Sequence, residues 1–220
     1  MTRSQADEAQ TGESRTGAPR RKYAPRLAPE QRREQLLDAA FQITGRVGLH
    51  NLSMEAVAAE AGVGKPVLYT VFDTRTDLVA ALLRREHERA IAQVLATMPT
   101  DLSELGPATS YAGTVGAFVD AVLENPTRWR LILTSVENAP SEYHDLLKLS
   151  RGAVFARAEE LARTGIALEP KLEGLDPVLL AHTMMSFAEM LGRLAVSDPE
   201  TYTRERLSNF AVALAQSVGR

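Results

Sequence analysis

The stretch RREQLLDAAFQITGRVGLHNLSMEAVAAEAGVGKPVLYTVFDTRTDLVAALL, residues 32–83, decides the fold. Its apolar residues recur at three- and four-residue spacing, which is the period of an amphipathic helix. The pattern predicts a first helix over residues 29–47, with Gly45 and Gly48 marking its end, and a long helix over residues 77–98. The segment between these two helices divides into shorter units.

Two short helices are predicted in that segment. Ser53 is placed as the N-cap of a helix that runs to Glu60, because its hydroxyl oxygen can accept a hydrogen bond from the first helical turn. Gly62 then supplies a tight turn with left-handed backbone, and Pro66 suits the first turn of a helix over residues 65–72. Two short helices joined by a glycine turn match the spacing of a helix-turn-helix.

The second short helix is the candidate for the major groove of DNA. Its apolar side is expected to face inward; that side consists of Val63, Leu68 and Phe72, packed on Leu52, Val57 and Ala58. The residues left nearer the outside are Lys65, Pro66, Val67, Tyr69, Thr70 and Val71. An exposed tyrosine and lysine suit contacts with phosphates and base edges. Helix pairs of this kind also serve purely as packing devices, so the spacing alone leaves both interpretations open.

The rest of the chain continues as helix. Beyond Pro99 the pattern predicts five further helices and no convincing strand, over residues 108–124, 126–137, 141–165, 176–196 and 200–218. Prolines fall near the junctions, where they start or stop helices. The predicted fold class is therefore all-α with about nine helices: an N-terminal three-helix helix-turn-helix DNA-binding domain over 28–76, followed by a C-terminal helical bundle over 77–220.

The first 27 residues are predicted to form a disordered tail with a basic arm. Residues 1–19 contain almost nothing apolar, so they cannot offset the entropy cost of folding. The arm contains Arg20, Arg21 and Lys22, next to prolines that keep the chain extended. Two interpretations stay open: a solubilising tail, or an arm that reaches along DNA and adds salt-dependent affinity.

Composition excludes several classes of protein. The chain has 220 residues, 45% of them hydrophobic, and no cysteine. No stretch reaches the roughly 18 consecutive apolar residues of a membrane span, and the N-terminus lacks the apolar core of a signal peptide. A cytoplasmic protein without membrane contact is the expectation. The net charge of −3 is unevenly distributed along the chain. The first 75 residues are slightly basic, with 11 Lys and Arg against 9 Asp and Glu.

The main alternative from another class is an enzyme, but the sequence lacks the common motifs of catalytic sites. The four histidines, His50, His87, His144 and His182, stand in no two-histidine metal spacing. There is no phosphate-binding glycine loop, no nucleophile elbow and no cysteine nucleophile. We therefore expect no catalytic activity, no metal and no cofactor.

Residues 32–83 resemble the DNA-binding domain of the TetR family of transcriptional regulators without a gap. The pieces that carry the resemblance are LLDAAF in the first helix, Ser53 before AVAAEAGV, and LYTVF followed by a polar turn and Leu78. The resemblance implies phosphate contacts by Tyr69 and Arg75. It implies base-facing positions for Lys65, Pro66, Val67, Thr70 and Val71, and a DNA-backbone contact at the start of helix two by Ser53, Met54 and Glu55.

This sequence departs from the family pattern at two positions. Arg75 stands where lysine is usual, and an arginine there can still contact a phosphate. Val71 stands where a larger residue is common, and valine offers only apolar contact, for example to a thymine methyl group. Base reading is then expected to depend mainly on Lys65 and Thr70.

The last two helices are the candidates for a dimer interface. The helix over 176–196 is apolar nearly all round, so it must be buried on every side. The helix over 200–218 has a stripe at three- and four-residue spacing. Packed together, the two helices predict a four-helix interface in a two-fold homodimer that binds a palindromic operator. A monomeric bundle core is the alternative.

The resemblance also implies a pocket for a small hydrophobic or amphipathic effector inside the C-terminal bundle, whose binding releases the operator. Aromatic, thioether and polar side chains of the bundle are the candidates for its lining: Phe118, Val122, Trp129, Leu133, Glu137, Tyr143, Phe155, Met184 and Phe187. Each of them is also a candidate for plain core. The expected function is a ligand-responsive transcriptional repressor; the alternative is an effector-independent repressor or architectural DNA-binding protein.

Overall fold

The computed structural model describes residues 27–134 and 141–218, with the side chains of residues 141–150 and 218 excepted. These residues form an all-α fold with no strand. The helices are α1 Pro29–Val47, α2 Met54–Glu60, α3 Lys65–Tyr69, α4 Arg75–Thr97, α5 Gly106–Glu124, α6 Pro126–Thr134, α7 Ser141–Leu168, α8 Pro177–Ser197 and α9 Arg204–Val218. The predicted fold class is thereby confirmed. Within the same part of the chain, no helix is long and apolar enough to cross a lipid bilayer.

Local sequence signals explain where several helices begin. The Ser53 hydroxyl accepts a hydrogen bond from the Ala56 N–H at 3.1 Å, as an N-cap does. Thr74 and Asp77 form a reciprocal capping box at the start of α4, in which each side chain accepts from the other's backbone N–H. Gly62 adopts a φ of 66° in the turn between α2 and α3, a conformation that favours glycine.

Helix α3 is shorter than the sequence predicts. It ends at Tyr69 rather than at Phe72, and residues 70–73 turn away from the helix axis. The N–H groups of Val71 and Phe72 both donate to the Leu68 carbonyl, at 2.9 and 3.0 Å. This turn directs Phe72, which is 4% exposed, back into the core. Burial of one aromatic ring therefore ends the helix before the helical period of the sequence does.

Buried leucines of α1, α3 and α4 form the centre of the N-terminal hydrophobic core. Leu36 and Leu37 of α1, Leu68 of α3 and Leu78 of α4 are fully buried. Around them pack the predicted partners Leu52, Val57, Ala58 and Phe72, with Val63 half-buried at the edge. The short helices α2 and α3 are thus held by α1 and α4, since neither is long enough to be stable alone.

The C-terminal bundle is built around α5. This helix packs against α8 and α9, while α7 packs against α4 and α8. The Phe118 ring of α5 meets the Trp129 ring of α6 edge-on, with centroids 5.0 Å apart. Gly192 of α8 allows this approach, because a Cβ atom there would lie 2.9 Å from the Phe118 ring.

A partly buried cluster of charged side chains, centred on Glu86, joins the two halves of the chain. Glu86 of α4 is fully buried and accepts hydrogen bonds from Arg85, Arg89 and Arg128 at 2.9–3.2 Å. Arg85 also contacts Asp38 of α1 at 2.8 Å and Glu34 of α1 at 3.0 Å. The cluster therefore fastens α1 of the N-terminal domain and α6 of the bundle to the same turn of α4.

Candidate nucleic-acid interface and ligand cavity

Helix α3 presents one face to solvent and one to the core. Leu68 is fully buried, whereas Val67 and Tyr69 on either side of it are 39% and 45% exposed. Lys65, Pro66 and Thr70 are exposed as well. The exposed side chains offer a cation, a phenol, a hydroxyl and apolar carbons, which are groups that contact phosphates and base edges.

The position of α3 is fixed by polar contacts as well as by its core. The Gln35 side chain of α1 donates to the Ala61 carbonyl at 2.9 Å, just before the glycine turn. Arg46 of α1 pairs with Glu60 at the end of α2. Both contacts hold the α2–α3 turn against α1, so the exposed face of α3 has a defined direction.

Lys65 is paired with Glu55 of α2 at 2.9 Å, and both side chains are more than half exposed. The hydrogen bond from the ammonium group lowers the pKa of Glu55, and the same contact raises the pKa of Lys65. The two predicted DNA-contacting residues are therefore both charged near neutral pH and hold each other in the free protein.

Arg75 has a role that the sequence does not reveal. Its Nε donates to the Leu52 carbonyl at 2.6 Å, and its Nη2 donates to the carbonyls of Leu49 and His50 at 2.9 and 3.1 Å. The guanidinium therefore fixes the loop between α1 and α2 to the start of α4. A fork of several donors is needed for this, which explains an arginine where the family pattern has lysine. The phosphate contact of Arg75 stays a prediction.

Two of the predicted contact residues lie elsewhere than expected. Met54 is 7% exposed and belongs to the hydrophobic core, so its side chain faces inward, and a DNA-backbone contact at this position stays a prediction. Val71 is half-buried against the same core, because the turn after α3 draws it inward. Ser53 is half-buried as the cap of α2. The predicted arm, Arg20, Arg21 and Lys22, lies outside the described residues.

The C-terminal bundle contains a partly open cavity of about 610 Å³. Five of the nine predicted lining residues contact it: Phe118, Trp129, Leu133, Met184 and Phe187. Two do not, because Val122 is fully buried in the helix packing and Phe155 stacks on His182 with ring centroids 4.2 Å apart. Glu137 and the side chain of Tyr143 lie outside the described part of the chain. The sequence thus predicts the place of the cavity better than its full lining.

Several residues that line the cavity were not predicted from the sequence, because their polar groups suggest a position on the protein surface. Tyr111 donates its hydroxyl to the Met184 carbonyl at 2.9 Å, and burial raises its pKa. His87 is 2% exposed beside the cavity, and burial lowers its pKa, so it is neutral near pH 7. Arg151, Glu189 and Arg193 also line the cavity. Among the described residues, no group of histidine, aspartate and glutamate is placed to hold a metal ion.

Each of the last two helices exposes large apolar side chains. Leu179 and Met190 of α8 are 66% and 40% exposed, and Phe210 and Leu214 of α9 are 51% and 39% exposed. Phe187 of α8 contacts Phe210 with ring centroids 5.8 Å apart, which joins the two helices at this surface. Helix α8 is therefore not buried on every side within one chain.

Comparison with known proteins identifies the N-terminal domain. Residues 36–82 match the family model described as bacterial regulatory proteins of the tetR family. The transcriptional activator FasR of Mycolicibacterium smegmatis is 34% identical over 110 residues, covering 49% of this chain and 48% of that protein. The repressor KstR of the same organism is 31% identical over 138 residues, covering 60% of this chain and 64% of that protein. The chain thus spans about half to two-thirds of the length of these relatives.

Solved structures share the fold over most of the chain. A TetR-like regulator from Rhodococcus sp. RHA1 superposes with a TM-score of 0.66 at 22% identity, over 87% of this chain and 97% of that one. The regulator FadR of Bacillus subtilis, in complex with stearoyl-CoA, gives a TM-score of 0.65 at 16% identity, over 84% and 98%. The relatives named here are all regulators of transcription. Residues 36–82 of this chain thus match the model of the tetR family, and the chain as a whole is similar in fold to solved TetR-like regulators.

Proposed function

We propose that the chain is a ligand-responsive repressor that binds a palindromic operator as a homodimer and releases it when a small molecule occupies the C-terminal cavity. The observation that carries the proposal is the division of α3, in which Leu68 is fully buried while Lys65, Val67 and Tyr69 face solvent. A helix with its side chains is about 10–12 Å across, and the major groove of B-DNA is about 12 Å wide.

The proposed base contacts follow from the chemistry of that face. Lys65 is suited to the O6 and N7 acceptors of guanine, and Val67 to a thymine methyl group. Thr70 donates its hydroxyl hydrogen to the Val67 carbonyl at 2.7 Å, so its oxygen is the atom that would accept from a base amino group. Tyr69 at the end of α3 is suited to a phosphate oxygen.

The proposed homodimer is supported by the apolar surface of α8 and α9. Large exposed apolar side chains that lie together are typical of protein interfaces. A two-fold pair of this surface would form a four-helix interface. Two copies of one short α3 would then bind two half-sites, which multiplies a weak single-site affinity.

The proposed effector site is supported by the size and lining of the cavity. Its volume of about 610 Å³ lies within the range of roughly 300–1,000 Å³ that small-molecule sites occupy. A partly open, mainly apolar cavity of this size favours a sensor over an effector-independent repressor, whose bundle has no need for unfilled space.

The operator-binding proposal predicts that Lys65→Ala and Tyr69→Ala each weaken binding about 10- to 100-fold per half-site, because each removes a phosphate or base contact. The DNA is the duplex that the purified protein selects from a random library, and the measurement is a gel-shift titration at several salt concentrations. The logarithm of affinity should fall linearly with the logarithm of salt. Lys171→Ala, an exposed lysine between α7 and α8, is the charge-matched control. Wild-type affinity in both α3 variants would contradict the assignment of α3.

One chain has a mass of 24.0 kDa. The dimer proposal predicts that light scattering at micromolar concentration gives twice this mass. Phe210→Glu places a charge in the proposed interface, so this variant should sediment as a monomer while its helix content is unchanged. Val47→Glu is the control, since Val47 is 47% exposed but lies at the end of α1. A monomeric wild-type protein would refute the proposal, as would a Phe210→Glu variant that stays dimeric.

A further inference from the structure

The cavity of the bundle is elongated. On the part of α7 whose side chains the structure describes, its lining residues run from Arg151 to Gly165, a distance of about 21 Å along a helix axis. On α4 they run from His87 to Thr97, which is about 15 Å. Such a length fits an extended chain or a flat ring system better than a compact ligand.

Most hydroxyl groups that line this cavity are hydrogen-bonded within the protein. The hydroxyls of Thr97, Thr114 and Thr183 each donate to a carbonyl of their own helix, at 2.7–2.9 Å. Tyr111 donates to the Met184 carbonyl. These hydrogens are therefore already used within the protein, and most of the cavity length offers a ligand apolar contacts.

The charged lining residues are Glu169, which follows α7, and a cluster formed by Arg151 of α7 with Glu189 and Arg193 of α8. Arg151 Nη2 lies 2.7 Å from one oxygen of Glu189, and Arg193 Nη1 lies 3.6 Å from the other. The two arginine side chains are 60% and 47% exposed, whereas Glu189 is 24% exposed. The cluster thus lies where the cavity meets solvent, and its two guanidinium groups share a single carboxylate.

We infer that the cavity binds an anionic amphiphile, with an elongated apolar body along α7 and a carboxylate or phosphate head at the Arg151–Glu189–Arg193 cluster. Two cations against one anion leave a net positive charge, and the planar fork of arginine matches a carboxylate or a phosphate. The head group competes with Glu189 for the guanidinium groups, while the body excludes water from the apolar length. The inference rests on the proposed effector site and gives the chemical class of its ligand.

Three probes with the same twelve-carbon tail test the contribution of the head group: dodecanoate and dodecyltrimethylammonium below their micelle concentrations, and dodecan-1-ol below its solubility limit. Affinity is measured by calorimetry on the full chain, with the fluorescence of Trp129 as a site reporter. Trp129 is the single tryptophan of the sequence and lines the cavity. Dodecanoate is expected to bind about tenfold more tightly than dodecan-1-ol, and dodecyltrimethylammonium more weakly than both.

Variants of the cluster test the head-group site. Arg151→Gln with Arg193→Gln should remove the preference for dodecanoate over dodecan-1-ol and leave dodecan-1-ol binding unchanged. Glu189→Gln removes the competing carboxylate and should tighten dodecanoate binding several-fold, a gain that a merely structural role would not produce. Arg163→Gln is the matched control, because Arg163 also lies on α7 and pairs with a glutamate but does not line the cavity.

The outcomes distinguish this inference from the proposed function. Equal affinity for the three probes, or a preference that survives in the double arginine variant, would overturn the inference. Operator binding that stays intact while no probe binds would also overturn it and would leave the DNA-binding proposal standing. Tight, arginine-dependent dodecanoate binding that leaves operator affinity unchanged would support the inference and would instead refute release by an effector.

Discussion

Replacing Glu86 by alanine is expected to lower the free energy of unfolding by about 3–5 kcal/mol, the range for breaking a buried ion pair by removing one partner. The Glu86 side chain is fully buried and contacts three arginines. Without it, the Arg85 and Arg128 guanidinium groups, 9% and 16% exposed, lose a carboxylate that offsets the cost of their desolvation. Urea unfolding followed by circular dichroism measures the change.

Glu88→Ala is the matched control for Glu86, because Glu88 lies on the same helix two residues away and is exposed. We expect its effect to stay within about 0.5 kcal/mol, as for most surface substitutions. Equal stability of the two variants would show that the cluster does not join the two halves of the chain. Glu86→Gln keeps the shape and removes the charge, so its effect should fall between those of the alanine variant and the wild type.

Leu68→Ala is expected to lower the free energy of unfolding by about 2–5 kcal/mol, because it leaves a cavity where a fully buried leucine holds α3 to the N-terminal core. The neighbouring change Val67→Ala should leave stability nearly unchanged, since Val67 is 39% exposed. Thermal unfolding of the two variants makes the comparison.

The same pair of variants separates folding from DNA contact. Val67→Ala should weaken operator binding in a protein of wild-type stability, because it removes an apolar contact proposed to lie in the groove. Loss of stability in Val67→Ala, or none in Leu68→Ala, would mean that α3 is turned about its axis relative to the orientation described above.

The helices were predictable because their signals are local. Ser53, Gly62 and Pro66 each act on the backbone within a few residues, and the structure places a cap, a left-handed turn and a first helical turn at those positions. The end of α3 was not predictable in the same way. Phe72 continues the helical period of the sequence, yet its burial against α1 and α4 requires a turn, and that contact is long-range.

The candidate site was predictable only where side-chain direction follows from helical period. Lys65, Tyr69 and Leu68 lie on the faces that the period predicts. Met54 is the first residue of α2, where the period gives little guidance, and it packs inward. The buried Glu86 lies in the run RREHER, whose charges suggest a solvated helix face until the positions of α1 and α6 are known.

The contact between Lys65 and Glu55 bears on how the proposed complex would discriminate among DNA sequences. Both side chains are exposed, so the pair itself is weak, but a phosphate would compete with the Glu55 carboxylate for the Lys65 ammonium group, which would weaken binding to random duplex. In a matching target, base acceptors such as guanine O6 and N7 would replace Glu55 as the partner of Lys65. A base amino group would then replace Lys65 as the partner of Glu55. Rejection of wrong sequences would thus begin inside the unbound protein, before any base pair is reached.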